Sequence, residues 1–135
     1  MTTRPYERVF TMTEYYDGPR SGIANFGGRP HAYDSAYGDQ YVLRAVDDDT
    51  LRMAVEDWGI WLRWEDAFYA GTATQDSHPA LPVDRARHDE LAPVLWARLD
   101  ALPGPAIRAR AVFRPGAGHE HGGRGRWLEV QWTPL

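Results

Sequence analysis

Hydrophobic and polar positions along the chain follow two rhythms, one of period two and one close to the 3.6-residue turn of a helix. The period-two rhythm opens the chain. Residues 9–16 alternate and are rich in β-formers, with Phe10, Met12 and Tyr16 sharing a face. Asp17-Gly18-Pro19-Arg20-Ser21-Gly22 reads as a turn, 23–26 as a short strand, and Gly27-Gly28 as a tight hairpin turn. Residues 29–35 form the return strand, in which Pro30 requires a sheet edge or a strand start. A loop through Tyr37-Gly38-Asp39 leads to another strand over 41–46. The alternation resumes near the C-terminus. Residues 107–114 turn Ile107, Ala109, Ala111 and Phe113 inward and arginines outward, and 127–132 place Leu128, Val130 and Trp132 on a common face. The glycine-rich stretch 115–126 between them is the long tip of a hairpin.

Between these halves the rhythm becomes helical. Residues 47–71 hold Trp58, Trp61 and Trp64; Asp48, Asp49 and Thr50 supply capping oxygens and favourable charge at the start, and Gly71 supplies the stop. Leu51, Ala54, Val55, Trp58, Leu62 and Tyr69 fall on one stripe. Trp61, Phe68, Trp64, Met53 and Ile60 widen it, leaving Arg52, Glu56, Arg63 and Asp66 as the wet face. A helix this broadly apolar is sandwiched in a core or keeps surface for a partner. A second helix spans 84–102, with Leu91, Leu95, Leu99 and Leu102 on its inner stripe. Pro93 removes the bond to the Asp89 carbonyl and predicts a kink, and Pro103-Gly104-Pro105 ends the helix. The expected fold is α+β: a mostly antiparallel, curved sheet of about six strands, four before the two helices and two after, packed on the Trp-rich helix and the Pro-kinked one.

At 135 residues the chain is long enough for one domain with a core of its own, and residues 1–8, polar throughout, read as a flexible N-terminal extension. The absence of cysteine excludes disulfides, thiolate metal sites and cysteine nucleophiles, and fits a reducing compartment. No apolar run reaches bilayer length and no signal-peptide core is present, so the expected location is the cytoplasm. All 15 basic residues are arginine, a mark of codon bias in a GC-rich bacterial genome rather than of nucleic-acid binding. The net charge of −4 argues in the same direction, although Arg108, Arg110, Arg114, Arg124 and Arg126 gather near the C-terminus.

Several residues could carry chemistry. Glu65 falls near the centre of the apolar arc, and Asp57 on its flank; a carboxylate there needs a cationic partner or a raised pKa. Glu65 is therefore the candidate general acid or base, and equally one half of a structural ion pair. His31 offers proton transfer near neutral pH, and Arg20 and Arg29 offer planar forks for an anion; together they would form the edge of a pocket if the first hairpin folds toward Glu65. The bland reading has Asp17 and Arg20 paired across their own turn. His88 reads as a packing residue. His119 and His121, flanking Glu120, are the one pair with metal-ligand spacing, but no third ligand is marked, so neither a metal nor another cofactor is assigned. Trp58, Trp61, Trp64 and Tyr33 are the aromatic candidates for a binding face, since six tryptophans and seven tyrosines are many for a small core.

The sequence thus predicts a small binding module that recognises a protein partner or ligand through an aromatic-rich face, with Trp61 or Trp64 exposed. Its rival is a small enzyme in which Glu65 acts with His31 and an arginine. A homo-oligomer that seals the aromatic face fits the first reading; a membrane fits neither, and nucleic acid is disfavoured.

Overall fold

Six antiparallel strands pair in chain order, and the sixth returns to the first, so the sheet closes into a barrel. The computed structural model describes residues 4–116 and 127–135. The strands are β1 (Glu7–Tyr15), β2 (Pro19–Phe26), β3 (Arg29–Tyr37), β4 (Gln40–Ala45), β5 (Ile107–Pro115) and β6 (Leu128–Pro134). The helices α1 (Asp48–Tyr69) and α2 (Pro82–Asp100) lie between β4 and β5 in the chain. The α+β class and antiparallel pairing expected from the sequence are present. Closure of the sheet was not expected.

Closure has a local cause. Register shifts between Val9 and Thr11, Met12 and Glu14, and Glu14 and Tyr15 put extra residues into β1, and such bulges raise the local twist that curls a sheet. The seam is Glu7 opposite Val130 and Arg8 opposite Glu129. It is extended by the Gln131 side-chain amide, which donates to the Arg4 carbonyl at 2.8 Å. The described part of the expected N-terminal extension, residues 4–8, is therefore part of the barrel. Glu7 also clamps the opposite hairpin: its two carboxylate oxygens accept the amides of Gly27 (3.0 Å) and Gly28 (2.7 Å). Those glycines take φ of +61° and +78°, the mirror-image turn that matches the twist of a two-residue hairpin.

Side chains fill the interior. Tyr33, Tyr41, Phe113 and Trp132 form a cluster in which every pair of rings lies 5.7–6.2 Å apart. Small residues make the space: Ala111 faces Trp132 across β5–β6, and Gly22 faces Tyr33 across β2–β3. The polar atoms of these rings are satisfied by backbone. Tyr33 donates to the Thr11 carbonyl (2.9 Å), Tyr41 to the Pro19 carbonyl (2.5 Å) and the Trp132 indole to the Asn25 carbonyl (2.9 Å). The first of these bonds crosses over Gly22, which explains the glycine: a Cβ there would lie 2.0 Å from the Thr11 oxygen and 2.7 Å from the Tyr33 hydroxyl.

Two compact units can be described separately: the barrel, formed by residues 1–47 and 102–135, and the helical unit, residues 48–101. Within the helical unit, α1 and α2 run antiparallel along a ladder of charged pairs. Asp49 meets Arg98 (3.4 Å), Glu56 meets Arg87 through two bonds (2.5 and 2.8 Å), and Arg63 meets Asp84 through two (2.9 and 3.0 Å). Asp57, the second acidic residue in the apolar arc, accepts from His88 Nδ1 at 2.7 Å, so His88 is indeed a satisfied packing residue. The apolar stripe is rotated from its expected position: Ile60 and Trp64 are buried, while Val55 and Tyr69 are exposed. Pro82 stands in the first turn of α2, where its missing N–H costs nothing. Pro93 sits inside an otherwise continuous helix and does not divide it.

Candidate functional site

The residues singled out from the sequence do not converge. Arg20 opens β2, whereas Arg29 opens β3 beyond the hairpin turn, so the antiparallel register puts them at opposite ends of the same hairpin, about 20 Å apart along the strands. His31 is buried, its Nδ1 donating to the Arg29 carbonyl at 2.8 Å and its ring edge-on to Phe26 at 5.4 Å. It braces a hairpin. Glu65 lies part-buried on α1 and is not a free carboxylate. Tyr33 belongs to the barrel interior.

The tryptophans behave like core residues rather than a display. Trp58 and Trp64 are 7% and 5% exposed, and Trp61 is half-buried. Trp64 organises the connection after α1: its indole donates to Ser77 Oγ at 2.9 Å, its ring stacks on Phe68 at 5.1 Å, and His78 meets it edge-on at 4.7 Å. Their helical spacing signalled burial, which the reading of a wide apolar arc as a binding face mistook for display. His119 and His121 lie outside the described residues. Among the described residues no group of three metal-ligating side chains converges.

What the sequence reading missed is a rim of tyrosines. Tyr15 and Tyr16 end β1 and start its turn, and Tyr37 ends β3; their exposures are 62%, 80% and 83%. Strands β1 and β3 both point to this end of the barrel, and β2 lies between them, so the rings stand about 10 Å apart in the sheet direction. The turns that carry them are fastened. Arg20 Nε donates to the Tyr16 carbonyl at 2.7 Å, in place of the expected pairing with Asp17, and Tyr41 holds Pro19 from inside. On the second turn, the Asp39 carbonyl accepts the Ala111 amide (2.9 Å) and the Asp39 carboxylate takes Arg110 (2.8 Å). The rim also carries negative charge. Glu14 and Asp34 flank Ser21 on neighbouring strands, and partial burial followed by the nearby Glu14 charge raises the Asp34 pKa above its ordinary value.

The signal for this rim was present in the sequence as tyrosines beside turns, in Glu14-Tyr15-Tyr16-Asp17-Gly18 and Ala36-Tyr37-Gly38-Asp39. Recognising it needed the register, because period alone does not say that two turns share one end of a barrel. Compared with known proteins, the chain matches no family model, no curated protein and no solved structure. The site is argued from its own geometry.

Proposed function

We propose that this protein is a binding module whose contact surface for a protein partner is the tyrosine rim of the barrel. The observation that carries the reading is the fixed display of Tyr15, Tyr16 and Tyr37 in a barrel whose other ring-bearing strands point inward. Tyrosine buries large area at low entropic cost, and a tied-down turn lowers the ordering cost of association further. Arg20, one of the residues first selected for ligand contact, stands at the same rim and supports its backbone. The enzymatic alternative has no comparable support, because His31 is buried in a structural hydrogen bond and Glu65 belongs to another unit.

The test is capture of partners from host lysate by the full chain, with the bound protein quantified by mass spectrometry. The expected result is a stoichiometric partner held by wild type, lost on combined Tyr15→Ser, Tyr16→Ser and Tyr37→Ser substitution, and retained by Trp61→Phe. A partner retained equally by the triple variant would overturn the assignment.

A further inference from the structure

The net charge of −4 conceals an uneven distribution. Residues 48–101 contain eleven acidic and five basic residues, whereas the remainder of the chain contains eight acidic and ten basic. The acidic excess that disfavoured nucleic acid therefore belongs to the helical unit, and the barrel is net positive. Its described arginines are also concentrated. On the outer face of the contiguous strands β4, β5, β6 and β1, outward positions carry Arg44, Arg108, Arg110, Arg114 and Arg8.

These arginines form a band. Arg108 and Arg110 are successive outward residues of β5, about 7 Å apart, and Arg114 lies about 20 Å from Arg108 along the strand. Arg114 and Arg8 flank Glu129 on adjacent strands, and Arg44 flanks Arg108 near the other end. Two acidic residues answer them: Glu129 pairs with Arg114 at 3.1 Å and Asp39 with Arg110 at 2.8 Å. Both pairs are solvent-exposed, so exchanging either carboxylate for another anion costs little. Arg108 has no acidic partner among the described residues.

Two guanidinium groups lie over aromatic rings. Arg114 sits 3.7 Å from the centroid of Tyr6, and Arg8 lies 4.7 Å from Phe10 and 5.8 Å from Trp127. A guanidinium held with one face on a ring offers its other face as a stacking platform for a base. An acidic peptide would use the charges alone. Charge along a strand together with flat stacking surfaces is the combination that binds an unpaired nucleic-acid strand.

We infer that the outer face of β4–β5–β6–β1, centred on Arg108, Arg110 and Arg114 with Arg8 and Arg44, binds single-stranded nucleic acid through its phosphate backbone. This surface is separate from the proposed use of the tyrosine rim and does not depend on it. The band would neutralise about three to four phosphates, which for a single strand gives a slope of log K against log salt of about −2 to −3.

The experiment is fluorescence anisotropy of the full chain with labelled oligothymidine and oligouridine of about 16 nucleotides, titrated from low to physiological salt. Saturable binding with that slope is expected, weakened at least tenfold by Arg44→Gln with Arg108→Gln and restored by Arg108→Lys with Arg44→Lys. Both arginines are exposed, and the lysine pair separates lost charge from lost fold. An absence of saturable binding at low salt, a flat salt response, or binding that the glutamine pair leaves unchanged would each overturn the inference. Tyr16→Ser and Tyr37→Ser should leave this binding intact, so failure here and failure of the rim reading are told apart.

Discussion

The barrel and the helical hairpin solve the same problem with opposite chemistry. The barrel is held by neutral rings, and each interior hydroxyl or indole N–H of Tyr33, Tyr41 and Trp132 spends its polarity on one backbone carbonyl. The hairpin is zipped by charged pairs along a seam that stays largely in water, as Arg87 and Glu56 do at 46% and 43% side-chain exposure. Buried neutral bonds are costly to break because the abandoned partner stays dry, whereas exposed ion pairs have water to fall back on. Position, not number of bonds, should therefore decide which substitutions matter.

The sharpest way to test this is at Gly22. Gly22→Ala sets a methyl group against the Thr11 carbonyl and the Tyr33 hydroxyl together, at distances no relaxed structure tolerates. The expected loss is about 3 kcal/mol or more of unfolding free energy. Chemical denaturation followed by near-ultraviolet circular dichroism would show it as a large fall in midpoint. An unchanged midpoint would mean that the crossing over Gly22 is not part of the barrel's support.

The same crossing shows how far the sequence could be read. Alternation located the strands around Met12, Ala109 and Val130, and caps and periodicity located both helices. Closure was hidden because it depends on bulges in β1, where the extra residues break the very alternation used to find strands. Pro19 and Arg20 read as turn because Asp17-Gly18-Pro19 is turn chemistry, yet the strand begins within it. The site suffered from the same blindness. Helical tryptophans stood out through composition, while Tyr15 and Tyr37 became neighbours only through pairings of β1 and β3 with β2.

The two chemistries should also part company with pH. Burial raises the Tyr33 and Tyr41 hydroxyls above their ordinary value of 10.0. A phenol whose folded pKa is raised contributes stability fully below pH 10 and loses it as pH rises through the folded value. On the hairpin, the side-chain bonds from Arg87 and Arg63 lower Glu56 and Asp84 below their ordinary 4.5 and 3.8. Carboxyls shifted this way stabilise the fold above those values and lose the contribution as pH falls through the folded pKa. Alkali should therefore expose the barrel tyrosines, read by phenolate absorbance, and acid should loosen the helices, read by amide exchange. Protection lost first from the helices in alkali would contradict the division.

Along the seam itself the effects should be small. Arg87→Gln removes the bonds to Glu56 and Glu90 at an exposed position, and its expected cost is below about 1 kcal/mol. Thermal melts in low and high salt should converge for wild type and variant as screening rises. A loss comparable to that of Gly22→Ala would show that the ladder is not the exposed, weakly stabilising device its geometry describes.

The smallest effect comes from making one substitution in both regions. Trp132→Phe strands the Asn25 carbonyl inside the barrel and leaves a void, an expected loss of about 2–3 kcal/mol. Trp58→Phe deletes a buried indole N–H that has no hydrogen-bond partner among the described residues. The relief of that unsatisfied donor opposes the lost ring area, so the net change should lie within about 1 kcal/mol of zero. The chemical change is identical, and each ring is buried in its own unit, at 0% and 7% exposure. The difference in their costs thus isolates what the single carbonyl contact of Trp132 contributes. Equal losses in the two variants would show that ring volume alone governs both sites.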